Sequence, residues 1–270
     1  MPRGRSEHVE SRGMSALKKY KSLSTDGRFA VVTGASAGIG AATAEFLAAD
    51  GWHVVLAARR EEKLREVEAR IAADGGKSSV LVLDVTKQQS IDEFAQNLEE
   101  VTAGRGIDLL VNNAGGARGL DSVLEADPAD WRWMYESNVM GTLQVTRALF
   151  GQLKDTDAPQ IINVVSMAGR AAYRGGAGYN AAKFGETALT DVMRMEFAEH
   201  GVRVCQLDPG RVATDFSVNR FKGDVEKANK VYEDNLNLTA EDMAETVRWL
   251  ASRPRHMDVE TILIKPLDQV

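Results

Sequence analysis

The segment Thr33-Gly34-Ala35-Ser36-Ala37-Gly38-Ile39-Gly40 joins a short apolar run, residues 29–33, to an alanine-rich run, residues 38–50. Its glycines let the backbone turn sharply and come close to a pyrophosphate. A helix that starts at residue 38 aims its free N–H groups, and the positive end of its dipole, at that anion. The spacing is G-x-x-x-G-x-G rather than G-x-G-x-x-G, and no Gly-Lys-Ser/Thr follows, which excludes a P-loop. A glycine cluster by itself is only a turn. Between a strand and a helix it predicts a dinucleotide site built on Gly34, Ser36, Ala37, Gly38, Ile39 and Gly40.

The alternation continues along the chain. Apolar runs predict strands over residues 53–57, 79–83, 108–111, 161–165, 202–207 and 261–265. Helical periodicity covers residues 61–74, 88–103, 130–154, 177–200 and 241–252. Strands separated by helices imply right-handed crossovers and a parallel sheet covered on both faces. Ile161-Ile162-Asn163-Val164-Val165 is near-continuously apolar, as a strand buried on both faces is. The fold class is therefore α/β: one doubly wound Rossmann domain over residues 28–270, a seven-stranded parallel sheet with helices on both faces. Its ligand belongs at the carboxyl ends of the strands. Residues 1–27, polar and dotted with Arg3, Arg5, Arg12, Lys18, Lys19 and Lys21, read as a flexible leader.

The second strand ends Leu56-Ala57-Ala58-Arg59-Arg60. An acid at that point would hold the ribose 2′-hydroxyl of NAD. Two arginines instead suit a 2′-phosphate, whose oxygens a guanidinium meets with paired donors, so NADP is the expected cofactor. Asp84, at the tip of the third strand, is suited to accept from the adenine amino group or to cap the next helix, a role Thr86 also fits.

Tyr179 and Lys183 stand four residues apart at the start of the helix over residues 177–200 and share one of its faces. A free phenol, with a pKa of about 10, holds its proton too tightly at neutral pH, and a nearby cation stabilises the phenolate. The pair is suited to acid/base work on a C–O bond undergoing hydride transfer. Asn112-Asn113-Ala114-Gly115 ends the fourth strand, Ser166 ends the fifth, and Asn138 lies on the helix between them.

Together with the glycine turn, these motifs resemble the short-chain dehydrogenase/reductase family over about residues 28–265. The resemblance implies that the glycine turn and Arg59, with Arg60 beside it, hold NADP, and that Asp84, Val85, Asn113, Ala114 and Gly115 border it. It implies that Ser166 hydrogen-bonds the substrate oxygen, and that Tyr179 gives that oxygen a proton in reduction and takes it back in oxidation. Lys183 would bind the nicotinamide ribose and lower the Tyr179 pKa, and Asn138 would hold a water that passes protons out through Lys183. Asp208-Pro209-Gly210, followed by Val212 and Thr214, would open a loop closing over the nicotinamide. The family also implies a homotetramer built on the helices at residues 130–154 and 177–200.

About 30 residues separate Gly210 from the helix near Glu241, which is long for a loop and suits a substrate lid. This region, with Arg220-Phe221-Lys222-Gly223-Asp224 and the later Trp249-Leu250-Ala251-Ser252, is similar to the branch of serine or 3-hydroxy acid dehydrogenases, also described as malonic semialdehyde reductases. A small acid substrate needs a cation, and Arg220 on the lid is the first candidate. Arg211, Arg118 and Arg170 also follow strand ends that face the site, and Arg211 departs from the apolar residue usual in the branch. A reductase of another carbonyl (a 3-oxoacyl thioester, a steroid or a sugar) and a non-catalytic NADP-sensing regulator are the competing readings; the complete Ser166–Tyr179–Lys183 set argues against the second.

The bulk numbers agree with one enzyme domain. With 270 residues and 44% hydrophobic composition the chain can bury one sizeable core. A net charge of −6 argues against general nucleic-acid binding. The apolar runs are too short for a membrane span. Cys205 is the sole cysteine, which fits a reducing cytoplasm, and His8, His53, His200 and His256 have no ligand spacing, so no metal is expected.

Overall fold

The computed structural model describes residues 23–269. Seven strands form one sheet: β1 (Phe29–Thr33), β2 (His53–Ala58), β3 (Lys77–Val82), β4 (Leu109–Asn112), β5 (Gln160–Val164), β6 (Arg203–Pro209) and β7 (Thr261–Ile264). Their order is β3-β2-β1-β4-β5-β6-β7 and every neighbouring pair is parallel. The winding reverses between β1 and β4. A crevice therefore opens at the carboxyl ends of those two strands, just where the glycine turn leaves β1.

Alternate residues of each strand feed two cores. Ala30, Val32, Val54, Leu56 and Leu207 meet α1 (Gly38–Ala49), α2 (Glu61–Ala73) and α9 (Ala240–Ala251) on one face. Val31, Val55, Leu110, Ile161 and Val204 meet α3 (Gln88–Thr102), α5 (Gly141–Lys154) and α6 (Ala177–Phe197) on the other. Burial on both sides is why the strands read as unbroken apolar runs. Asn112 and Asn163 are two of the buried polar residues within them. The Asn112 amide donates to Asn163 Oδ1 (2.9 Å) and to Thr146 Oγ1 on α5 (3.0 Å), and the Asn163 amide donates to Thr190 Oγ1 on α6 (2.9 Å). This satisfied buried network fixes α5 and α6 against the sheet.

The stretch expected to be largely helical over residues 130–154 is helical throughout, in three contiguous segments. Asp127 caps α4 (Pro128–Tyr135) by accepting from Ala129 N, with proline at the first helical position. A π turn, Glu136–Met140, then leads into α5. The lid contains two short helices that apolar periodicity did not reveal, α7 (Phe216–Arg220) and α8 (Val225–Lys230), the second capped by Asp224. The helix expected at residue 241 begins at Ala240 behind a capping box of Thr239 and Asp242. Residues 1–22 of the leader lie outside the described residues. Its described residues include Leu23, whose N donates to Ser252 O, and Thr25, whose Oγ1 donates to Asp50 O.

Gly34 and Gly38 adopt φ of +67° and +53°, which suits glycine. Gly40 is required for a different reason: a Cβ there would run into the Gly34 carbonyl and the Asn113 amide. The substitution Gly40→Ala is expected to cost about 1–3 kcal/mol through overpacking and to lower the melting temperature by several degrees. It should weaken NADPH binding as well. Thermal denaturation and a fluorescence titration check both expectations.

Candidate active site

All the chemically suggestive residues arrive at one edge of the sheet. Thr33, the last residue of β1, ties β1 to β4: its hydroxyl accepts from Asn113 N and Ala114 N (2.9 Å each) and donates to Val111 O (3.3 Å). The Asn113 side chain donates to Thr33 O (2.9 Å) and Gly34 O (3.5 Å). Asn113 and Ala114 thus brace the glycine turn, and Gly115 packs beside the Asn138 amide. Helix α1 begins at Gly38 behind Ala37, with no side-chain cap and no acid in its first turn. Its leading amides are left for an anion. Ser36, Ala37 and Ile39 are partly exposed around that terminus, and Thr214 of the lid approaches Gly38.

The two arginines after β2 divide. Arg60 reaches the glycine turn, its Nη2 donating to Ser36 Oγ at 3.1 Å. Arg59 is exposed and acts electrostatically on Asp84. Asp84 accepts from Thr86 N (3.1 Å) and Thr86 Oγ1 (2.7 Å), while Lys87 holds the N-cap position of α3. Burial pushes the Asp84 carboxyl up, but these hydrogen bonds and the Arg59 and Lys87 charges together leave it below its usual range. Val85 packs on Gly141 at the start of α5.

Tyr179 and Lys183 stand on the first turns of α6, 8% and 4% exposed. The ring of Tyr179 sits in a small apolar cluster with Met134, Val139, Ala168 and Ala182, and Phe216 of the lid lies 5.6 Å from its centroid. Ser166 follows β5, and its hydroxyl acts on the Tyr179 phenol to lower its pKa. Its own hydroxyl accepts from Ala168 N (3.0 Å), and its N–H donates to Asp208 Oδ1 (3.3 Å). Burial raises the Tyr179 pKa, and the Lys183 ammonium offsets part of that rise. Lys183 Nζ lies 5.9 Å from the Tyr179 ring centroid and donates to Val164 O at 3.2 Å. Burial pushes the Lys183 pKa down, but Glu186, Tyr179 and Asp208 carry it above its ordinary value.

Asn138 is buried inside the π turn. Its amide donates to Gly116 O (2.9 Å) and Met134 O (2.6 Å), and its Oδ1 accepts from Gly116 N (3.1 Å). The side chain therefore clamps the loop after β4. Asn180, which no sequence motif singled out, has an equivalent duty: it donates to Ala168 O and Ala171 O and accepts from Tyr173 N. It fastens the loop that carries Ser166 to the helix that carries Tyr179. Pro209 closes β6, and Gly210 N donates to Ile264 O. Val212 pairs with Leu238, closing the base of the lid into a loop.

The four candidate arginines separate by partner. Arg170 is paired with buried Asp208, and its Nη2 donates to Thr261 Oγ1. Arg211 binds Asp268 (2.7 Å), Asn237 and Leu236 O, pinning the lid base to the C-terminal segment. Arg118 lies 4.0 Å over the Trp133 ring and 3.6 Å from Asp130. Asp130, nearly buried, also takes Lys222 of the lid at 2.7 Å. Arg220 is the different one. Its Nε donates to Gly119 O (3.0 Å), its guanidinium lies 5.9 Å from the Tyr179 ring centroid, and its buried Nη2 has no hydrogen-bond partner among the described residues. Arg220 and Tyr179 line a cleft together with Arg118, Trp131, Met134 and Gly176.

A parallel sheet with this strand order, a glycine turn at its reversal point and a Ser–Tyr–Lys set whose tyrosine and lysine are buried define a nucleotide-dependent oxidoreductase architecture. The comparisons agree. The short chain dehydrogenase family model matches residues 28–224, and the chain belongs to that family. An uncharacterised oxidoreductase of Mycobacterium tuberculosis H37Rv is 45% identical over 247 residues, covering 92% of this chain and 94% of that protein. The NADP-dependent 3-hydroxy acid dehydrogenase of Schizosaccharomyces pombe is 36% identical over 246 residues, covering 90% and 94%. Among solved structures, the closed form of a serine dehydrogenase complexed with NADP+ superposes with a TM-score of 0.84 at 34% identity, covering 90% of this chain and 96% of that one. Among the described residues, no helix is long and apolar enough to cross a membrane, and no group of three or more His, Cys, Asp or Glu is arranged to hold a metal ion.

Proposed function

We propose that the protein is an NADP(H)-dependent dehydrogenase/reductase that interconverts a small 3-hydroxy acid, of the L-serine, L-allo-threonine or 3-hydroxypropionate type, with its 3-oxo form. The observation that carries the substrate class is Arg220: a guanidinium beside Tyr179 with a buried nitrogen unpartnered among the described residues, while Arg118, Arg170 and Arg211 are engaged with carboxylates. Such a nitrogen is satisfied by a substrate carboxylate.

The residues fit the cofactor. The uncapped start of α1 receives the pyrophosphate, and Arg60 beside Ser36, with Arg59 next to it, receives the 2′-phosphate. NADP(H), when bound, supplies or accepts the hydride. Ser166 and Tyr179 hold the substrate oxygen; Tyr179 donates its proton to that oxygen in reduction and recovers it in oxidation. Lys183 keeps a positive charge behind the phenol. Asn138 positions the loop after β4 through Gly116 and would hold the water that passes protons out through Lys183.

Purified protein should oxidise L-serine or 3-hydroxypropionate with NADP+ and reduce malonic semialdehyde with NADPH. Turnover of long neutral ketones with no turnover of small acids would overturn the carboxylate reading. Arg60→Asp should weaken NADPH binding about tenfold or more, since one charge-assisted hydrogen bond contributes about 1.5–3 kcal/mol. NADH binding should hold or improve, and equal loss for both cofactors would refute the phosphate role. The same reading includes a cytoplasmic homotetramer. Phe184, Val192 and Met195 leave an exposed apolar stripe along α6, and light scattering measures the assembly.

A further inference from the structure

One buried acid has no part in the chemistry above. Glu186, 1% exposed, lies one turn beyond Lys183 on α6, and its Oε2 accepts from Lys183 Nζ at 2.7 Å. Its Oε1 accepts from Thr142 Oγ1 of α5 at 3.1 Å, and Thr142 is itself buried. Both carboxylate oxygens are therefore occupied, one by the lysine that faces Tyr179 and one by the helix that carries the sheet network. A buried carboxylate without a route to water is a poor outlet for protons. It is well suited to hold an ammonium in one place and to cancel part of its field.

We propose that Glu186 is a positioning residue that sets the acid strength of Tyr179: it fixes Lys183 as an ammonium and counterweights its charge, biasing the pair toward the protonated phenol. That is the form needed to donate a proton to a carbonyl, so the device favours reduction over oxidation at neutral pH. The proposal rests on the reading of Tyr179 as the acid/base.

The other groups facing the pair come from separate elements. Asp208 of β6 is neutralised by Arg170, Ser166 follows β5, Tyr173 lies in the loop before α6, and Arg220 of α7 stands 5.9 Å from the Tyr179 ring centroid. Two of these, Asp208 and Arg220, carry charge; Asp208 is already paired, and Arg220 adds a cation rather than an acid. Glu186 is the carboxylate in direct contact with Lys183. In agreement, Tyr179 is held above its ordinary range first by burial, with Lys183 pulling it down and Tyr173 and then Glu186 pushing it up. Burial also raises the Glu186 carboxyl, an effect opposed by Lys183 and Thr142.

The test reads Tyr179 without any substrate. Tyrosinate absorbance is titrated in the full chain and in Tyr179→Phe, and the difference isolates one phenol among the five tyrosines. Glu186→Gln keeps the shape and removes the charge. Its Tyr179 midpoint should fall by about one pH unit, a tenfold rise in phenolate fraction at a given pH. Glu186→Asp draws the charge back by one methylene, and its midpoint should fall by less, between wild type and Gln. In turnover, the alkaline loss of reductase kcat/KM should move down in the same order. Midpoints that are unchanged, or that rise, in both variants overturn the proposal, as does a loss of rate equal at every pH. If Glu186→Gln cannot be purified folded, the Asp variant decides the matter through its smaller downward shift. Failure to turn over any hydroxy acid would count against the substrate reading and would leave the titration intact.

Discussion

The substitution Tyr179→Phe should reduce turnover by about 10²–10⁴-fold, the range of a positioned general acid, and leave NADPH affinity within about twofold. Phenylalanine keeps the ring that packs against Met134, Ala168 and Ala182 and that meets Phe216. The hydroxyl alone is removed, and with it the proton that a developing alkoxide requires. Steady-state rates in both directions, with a fluorescence titration of NADPH, separate chemistry from binding. A Phe variant retaining more than a tenth of wild-type kcat would remove Tyr179 from the mechanism. A variant that lost cofactor binding as well would assign the hydroxyl to the cofactor site instead.

The second large effect belongs to Arg220. Replacing it with glutamine should lower kcat/KM for carboxylate-bearing substrates by about 10–100-fold, which corresponds to one charge-assisted hydrogen bond. A neutral carbonyl of similar size should lose no more than about threefold. The control matters because Arg220 has a second task. Its Nε donates to Gly119 O, and its own carbonyl accepts from Gly119 N, so it also seals the lid against the loop after β4. A purely structural role would depress both substrates alike. A drop confined to the acid places the guanidinium on the carboxylate.

Much of this site is legible in the sequence because it follows chain-local rules. The glycine turn, Asn113, Ser166 and Pro209 each end a strand, and parallel strands bring their carboxyl ends to one edge. Tyr179 and Lys183 need only helical spacing to be neighbours. The parts that escaped were of two kinds. Asn180 and Glu186 sit in a recognised helix, and although Glu186 has the i,i+3 spacing to meet Lys183, the partners Thr142, Ala168 and Ala171 come from other elements, and no spacing rule announces a tertiary hydrogen bond. The four arginines were indistinguishable as sequence because their meaning lies in the acids they meet. Asp268, 57 residues beyond Arg211 in the chain, takes that guanidinium out of contention. Likewise, Arg59 and Arg60 form an adjacent pair, and the turn into α2 brings Arg60 onto Ser36. The short lid helices have too few residues to display a period, although Asp224 does mark the start of the second.

The π turn at Glu136–Met140 also constrains how this chain can vary in length. A wider turn accommodates one residue more than a regular helix would, and each residue added or removed rotates the downstream helix by about 100°. On one side of the turn α4 presents Met134 to Tyr179; on the other, α5 presents Thr142 to Glu186 and Val145, Leu149 and Leu153 to the sheet. The extra residue lets both helices keep their separate phases. Deleting a single residue here would straighten the helix and swing one of those faces out of place, or pull Asn138 away from Gly116. Variation in length should therefore collect in the exposed stretch around Val123 and Leu124, while the residue count between Asp127 and Lys154 stays fixed.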